Sequence, residues 1–285
     1  MPTIREIRRR IKSVQSTAKV TRAMEMVAAS RMRRAQERTI AARPYAERMV
    51  QVLADLAAQR EEGEEIHPLL VQRPVNRITV IHITPDRGLC GGLNANINRV
   101  VASYILGQSV PVNIVVVGRK GRDFMVRSGQ EVRAEFTRLG DRPSVVDILP
   151  IARIVIDDYT DGLIDEVYLS YTQFATTLTQ RPVLWRLLPI EPAAIEPGRS
   201  VEYIYEPSPD EVLAQLLPRF VEMELYHAIL ESIASEQSAR MVAMRNATDN
   251  ANELIEDLTL TYNKARQEMI TKELLDITGG AEALV

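Results

Sequence analysis

The chain has 285 residues, of which 46% are hydrophobic and only 5% aromatic, a balance that favours long helices with shallow apolar seams over a thick globular interior. It contains one Cys, which excludes an internal disulfide and a CxxC metal or redox pair and is typical of a soluble protein of a reducing compartment. Residues 1–43 carry 12 Lys/Arg and three Glu, a net charge of +9, whereas residues 210–285 carry 14 Asp/Glu and six Lys/Arg, a net charge of −8. Opposite charges at the two ends predict that the ends meet.

The first predicted element is one long helix within residues 1–60. Its apolar residues recur at spacings of three and four, as in a coiled-coil seam, at Ile4, Ile7, Ile11, Val14 and Ala18. The pattern then loosens, with candidate positions at Met24, Val27 or Ala28, Met32 and Ala35. Pro44 is expected to bend or interrupt this helix because it lacks a backbone donor.

The middle of the chain, residues 75–195, changes to short β-branched runs. Predicted strands cover 78–84, 112–117, 132–136, 167–172 and 183–190, and predicted helices cover 93–106, 120–128 and 144–160. This alternation indicates a small sheet with right-handed crossovers, a Rossmann-like α/β domain.

The third predicted part, residues 208–285, is another long helix. Ser208 is a suitable cap and Pro209 suits the first helical position, while Gly279 and Gly280 are expected to end the helix. Its predicted seam comprises Met244, Ala247, Ala251, Leu254, Leu258, Thr261 and Ala265.

The predicted fold class is therefore a small α/β domain inserted between two long helices that form an antiparallel two-helix coiled coil. Neither helix is stable alone in water at this length and polarity, and pairing covers both seams. The mismatch in length leaves a C-terminal tip, about residues 270–285, with little cover from the same chain. Such a tip requires a partner.

Gly88, Gly91 and Gly92 follow the first strand, where a doubly wound domain would hold a phosphate. Their GxxGG spacing differs from GxGxxG, and no Lys-Ser/Thr follows as in a P-loop. A tight strand-to-helix turn is therefore favoured over a nucleotide site, and no cofactor is expected. The three His residues are scattered, so no metal site is expected either.

The Arg-rich N-terminal segment has three possible explanations. It is similar to a mitochondrial transit peptide, to a basic DNA-reading helix, and to a solvated helix face opposite acidic protein surfaces. The seam runs through the basic residues rather than beside them, which favours a protein partner over nucleic acid. No catalytic constellation is evident.

Three stretches resemble the ATP synthase gamma family. They are Ile11–Met32, Asp86–Asn94 (DRGLCGGLN), and a C-terminal part that runs from Ser235–Met244 through Tyr262–Gln267 to Ile270–Ala283. The resemblance extends over essentially the whole chain, and the family shares the layout inferred above. The chain also lacks the extra middle segment and the Cys pair of plant members, so a bacterial type at the cytoplasmic face of the plasma membrane is expected.

The resemblance implies a non-catalytic rotor in the cavity of a three-fold α/β hexamer, with its base on the epsilon subunit and the membrane ring of c subunits. The positions that it assigns to contacts with the hexamer are Met24, Arg240, Arg266, Gln267, Thr271 and Glu273. The positions that lie toward the base are Arg43, Tyr45, Tyr203 and Glu206. The implied function is coupling of ion flow to ATP synthesis or hydrolysis.

Overall fold

The computed structural model describes residues 3–58, 67–191 and 205–282. The long helices are α1 (Ile4–Ala58) and α5 (Pro209–Glu282). Between them lie β1 (Ile78–Ile83), α2 (Leu93–Leu106), β2 (Val112–Val117), α3 (Arg119–Arg127), β3 (Val132–Phe136), α4 (Val145–Thr160), β4 (Glu166–Phe174) and β5 (Gln180–Leu188). The chain forms two compact units, one of residues 1–28 with 240–285 and one of residues 29–239. None of the helices among the described residues is both long and apolar enough to cross a bilayer.

In the first unit, α1 and α5 pair antiparallel. Arg8 contacts Tyr262, Thr21 contacts Thr248, and Glu25 contacts Arg245, so positions advance along α1 as they recede along α5. The prediction that the two ends of the chain meet is confirmed.

The second unit is built around a five-stranded sheet in the order β3-β2-β1-β4-β5. β1 is parallel to both β2 and β4, and β2 is parallel to β3, whereas β5 runs antiparallel to β4. The predicted alternation of strands and helices is confirmed, with most boundaries within one or two residues.

The two faces of this sheet carry separate cores. Met125 of α3 and Val101 of α2 pack on one face with Val80 and Val116. The other face carries a larger core to which α1, α4, α5 and the sheet all contribute, including Leu53 and Leu56 of α1, Ile151 and Val155 of α4, and Leu217 and Val221 of α5. The long helices are therefore integral to the second unit, because their apolar stripes cover a sheet face that would otherwise contact water.

Both long helices extend past a residue that was predicted to interrupt or end them, and whether Pro44 bends α1 stays a prediction. α1 continues through Pro44, because Met49, Leu53 and Leu56 beyond it are buried in the core and offset a missing hydrogen bond. α5 continues through Gly279 and Gly280 to Glu282. Glycine lowers helix stability by about 1 kcal/mol relative to alanine but does not forbid the helical conformation. The start of α5 is as predicted, since Ser208 Oγ accepts a hydrogen bond from the Glu211 backbone N–H at 3.3 Å.

Candidate partner-binding surfaces

The seam of α1 keeps its seven-residue period through the stretch in which some seam positions are no longer apolar. Ile7, Ala18 and Ala28 are buried as expected, and the intervening positions are held by buried Thr21 and Glu25. Val27, by contrast, is 50% exposed, so the alternative between Val27 and Ala28 is decided for Ala28. The predicted loosening is therefore a change from apolar to polar seam residues, while the period itself continues.

The seam of α5 agrees with the prediction at every second position. Met244 and Ala251 are buried, and Leu258 and Ala265 are half-buried, as expected. At the intervening positions the residue on the seam is the next one along the chain: Thr248 instead of Ala247, Ile255 instead of Leu254, and Tyr262 instead of Thr261. At two of these three positions, Thr248 and Tyr262, the seam residue is polar and contacts a residue of α1. The sequence of α5 alone does not reveal such a partner.

Polar contacts cross the seam at three levels. The hydroxyls of Thr21 and Thr248 are 2.7 Å apart, and Arg8 Nη2 donates to Tyr262 Oη at 2.6 Å. Arg245 Nε donates to Glu25 Oε1 at 3.0 Å. In this ion pair, the carboxylate belongs to the basic N-terminal segment and the guanidinium group belongs to the acidic C-terminal segment. The net charges of the two segments therefore predicted the pairing of the helices but not this contact.

An open groove of about 830 Å³ runs beside the seam in the first unit. Its lining includes the small side chains of Ala18 and Ala23 and the larger side chains of Arg22, Met26 and Asn252. Met26 is 66% exposed although it is apolar and flexible. Such a side chain suits a surface that meets changing partners.

The C-terminal end of α5 exposes a row of large apolar side chains. Their exposed fractions lie between 45% and 68%, at Met269, Ile270, Leu274, Leu275 and Ile277. Every side chain that the structure describes from Arg266 to Thr278 is exposed. Exposed apolar surface of this extent marks an interaction site, which agrees with the predicted lack of cover at this tip.

The residues expected at the hexamer differ in accessibility. Arg266, Gln267, Thr271 and Glu273 are exposed on the same uncovered part of α5. Met24 is half-buried on α1. The sixth of them, Arg240 on α5, is only 8% exposed, so most of its surface is already covered within this chain.

The residues expected toward the base are only partly described. Tyr45 on α1 is 55% exposed, and Glu206, just before α5, is exposed. The side chain of Arg43 and the whole of Tyr203 lie outside the described residues.

The glycine-rich segment after β1 forms a tight turn into α2. Gly91 has φ +60° and Leu89 has φ +63°, both in the left-handed region, and Gly92 caps the helix. The carboxylate of Asp86 in the same turn accepts hydrogen bonds from the backbone N–H groups of Arg119 and Arg138, each at 2.9 Å. The left-handed backbone of the turn explains why position 91 is a glycine. Asp86 accepts a hydrogen bond from the first N–H of α3.

Gly118 permits a close backbone approach beside this turn. It has φ +95°, and a Cβ there would lie 1.8 Å from the carbonyl oxygen of Thr84. The Thr84 hydroxyl also accepts a hydrogen bond from the Gly121 N–H at 2.8 Å. This role of Thr84 could not be predicted from the sequence, because it depends on the packing of the end of β1 against the start of α3.

His82 of β1 has no exposed surface, and its Nε2 lies 2.8 Å from Asn98 Oδ1. Burial lowers the pKa of His82 to about 4, although the hydrogen bond with Asn98 opposes this shift. The residue is therefore neutral near pH 7. Within the described part of the chain, no group of three or more His, Cys, Asp or Glu residues is arranged to hold a metal ion.

Comparisons with known proteins match the whole chain. A family model described as ATP synthase matches residues 3–284. The ATP synthase gamma chain of Dehalococcoides mccartyi (strain ATCC BAA-2266 / KCTC 15142 / 195) is 63% identical over 284 residues, with 100% of both chains covered. That of Herpetosiphon aurantiacus is 53% identical over 293 residues, with 100% of this chain and 99% of the relative covered.

Solved structures share the fold. A chain of the Euglena gracilis mitochondrial ATP synthase (OSCP/F1/c-ring) has a TM-score of 0.69 at 20% identity, with 99% of this chain and 94% of that chain covered. A chain of the Tetrahymena thermophila mitochondrial ATP synthase central stalk and c-ring has a TM-score of 0.61 at 24% identity, with 80% and 99% covered.

Proposed function

Because this chain belongs to the ATP synthase gamma-chain family, we propose that it is the non-catalytic rotor subunit, which transmits rotation between a membrane ring of c subunits and a hexamer of α and β subunits. The observation that carries this proposal is the C-terminal end of α5, where five large apolar side chains are uncovered. A solvent-exposed helix end of this kind is stabilised when a partner surrounds it.

The proposed mechanism is differential contact with chemically identical partners. A ligand shifts a conformational equilibrium only by the difference in its interaction with the two states. A single asymmetric subunit inside a three-fold hexamer contacts each β subunit differently, so its rotation changes which nucleotide site is open. By linkage, nucleotide occupancy in turn biases the rotor angle.

The exposed charges on α5 suit such transient contacts. Exposed ion pairs contribute about 0–1 kcal/mol, so contacts through Arg266 and Glu273 can break in every turn. Gln267, Thr271 and Met24 are the further proposed hexamer contacts, and Arg240 contributes through the small part of its surface that is accessible.

The proposed domains are residues 1–60 and 208–285, which supply the long helices, and residues 75–195, which supply the sheet and the helices α2 to α4. The apolar stripes of the long helices complete the core of the second unit. The epsilon subunit and the c ring are the proposed partners of the base, through Arg43, Tyr45, Tyr203 and Glu206. The complex is proposed to lie at the cytoplasmic face of the bacterial plasma membrane.

Reconstitution with the matching α and β subunits tests this proposal. We expect a complex with one copy of this chain and faster ATP hydrolysis than α and β show alone. Leu274→Ser with Ile277→Ser should weaken assembly at least about tenfold, because each buried Leu or Ile contributes roughly 1.5–3 kcal/mol. The measurement is the concentration of this chain at half-maximal hydrolysis.

Glu268→Gln with Lys272→Gln is the matched control, since both side chains are exposed polar groups on the same part of α5. The control should assemble like the unmodified chain. Three copies bound symmetrically would contradict the asymmetric rotor, and equal assembly of the serine variant would show that the apolar tip is not the contact.

A further inference from the structure

A basic cleft in the second unit lies apart from the surfaces described above. It has a volume of about 160 Å³ and is lined by Arg31, Arg34 and Arg38 of α1, by Asp141 and Arg142 of the segment before α4, and by apolar residues of α1 and α5. We propose that this cleft binds a multivalent oxyanion of the phosphate class.

The charges in the cleft are unbalanced. Arg31, Arg34 and Arg38 are spaced by three and four residues, so they share one face of α1, where like charges repel. With Arg142 they bring four positive charges to a cleft that holds one carboxylate, Asp141. A cluster of this kind is destabilising unless an anion joins it.

Among the described residues, the contacts of these arginines leave some of their guanidinium N–H groups free to donate hydrogen bonds to a ligand. Arg31 Nη1 pairs with Asp141 Oδ2 at 2.6 Å, and Arg34 donates to the carbonyl and hydroxyl oxygens of Ser30, each at 3.3 Å. Over the described residues, the side chains of Arg38 and Arg142 make neither a hydrogen bond nor an ion pair. Two guanidinium groups in the cleft therefore lack an anionic partner.

The floor of the cleft strengthens electrostatic binding. Ala35 and Leu230 are buried and Ile233 is half-buried, so the side of the cleft away from solvent is apolar. Charges beside apolar walls interact more strongly than charges surrounded by water. Guanidinium groups match phosphate oxygens in bidentate geometry, which makes arginine the residue suited to this ligand.

The size of the cleft favours a small anion over an acidic polypeptide. Residues of α1, of α5 and of the segment Asp141–Arg142 bound it, and Asp141 already shows how a carboxylate oxygen meets Arg31 there. A phosphate or diphosphate group can engage several of the arginines at once, whereas a side-chain carboxylate has only two oxygens.

Isothermal titration calorimetry of the full chain with pyrophosphate at low ionic strength tests the proposal. We expect one saturable site, whose Kd rises at least tenfold in the variant with Arg38→Gln and Arg142→Gln. The matched control carries Arg99→Gln and Arg153→Gln, which remove two exposed arginines from α2 and α4 outside the cleft. Its Kd should change less than twofold.

The variant Asp141→Asn should have the opposite effect on the Kd. Removing this carboxylate frees Arg31 and makes the cleft more positive, so pyrophosphate should bind several-fold more tightly. Misfolding cannot produce such a gain in affinity. Titrations with inorganic phosphate and with ATP distinguish a free anion from the phosphate chain of a nucleotide.

Three outcomes would overturn the proposal: no saturable pyrophosphate binding, equal losses in both double variants, or binding of a glutamate-rich peptide that pyrophosphate does not displace. Because the measurement uses the chain alone, it is independent of assembly with α and β subunits.

Discussion

His82 shows how one buried side chain makes stability depend on pH. Its pKa is about 4 in the folded chain and about 6.5 when unfolded, so between these values the unfolded state binds more protons. The contribution of His82 to stability is therefore fully present well above pH 6.5 and falls as the pH is lowered through 6.5 toward 4. From pH 6.5 to pH 5 the loss should be about 1.5 kcal/mol, measured by urea unfolding.

The variant His82→Asn should lose this part of the pH dependence, although it is less stable at every pH because it leaves a cavity. His227→Gln, on α5 outside the sheet, is the control and should keep it. An unchanged difference in stability between pH 6.5 and pH 5 in His82→Asn would show that other groups cause it.

At the scale of elements, the register of α1 against α5 is fixed by polar contacts within an otherwise shallow seam. The hydroxyls of Thr21 and Thr248 are 2.7 Å apart, so Thr21→Cys with Thr248→Cys should form a disulfide within one molecule when Cys90 is replaced by Ser. Non-reducing electrophoresis of the oxidised chain should show a monomer with altered mobility.

The control pair is Thr21→Cys with Thr259→Cys. Thr259 lies 11 positions beyond Thr248, about 16 Å along the helix, which is too far for a disulfide. Efficient cross-linking of this control and not of the first pair would show a different register.

At the scale of the whole molecule, one core joins parts of the chain that are far apart in the sequence. Leu56 of α1 is 1% exposed and belongs to the core beneath the sheet. Leu56→Ala should therefore destabilise the α/β part by about 2–5 kcal/mol. Trp185, the only Trp of the chain, lies on β5 against this core and reports its unfolding by fluorescence.

Leu106→Ala is the control because Leu106 is 83% exposed, and it should change stability by no more than about 0.5 kcal/mol. Loss of helical circular-dichroism signal in Leu56→Ala, with no change in the unfolding transition followed by Trp185 fluorescence, would contradict the shared core. It would show that residues 75–195 unfold as a domain of their own.

The sequence by itself determined the type and extent of nearly every element, from β1 at Ile78–Ile83 to the start of α5 at Pro209. Hydrophobic period, turn residues and helix caps are local properties, so they can be read without the fold. The opposite net charges and the apolar seams of the two end segments determined the pairing of the long helices, and their difference in length determined the uncovered tip. The resemblance carried by three stretches determined the family.

Only the tertiary structure decided which neighbouring residue occupies the seam. Thr248 displaces Ala247 because its hydroxyl meets Thr21, and Glu25 is buried because Arg245 pairs with it. A polar side chain is stable in a seam only when its partner is present, and the partner lies more than 200 residues away in the sequence. For the same reason, the basic cleft of α1 and the segment before α4 could not be predicted from the spacing of arginines alone.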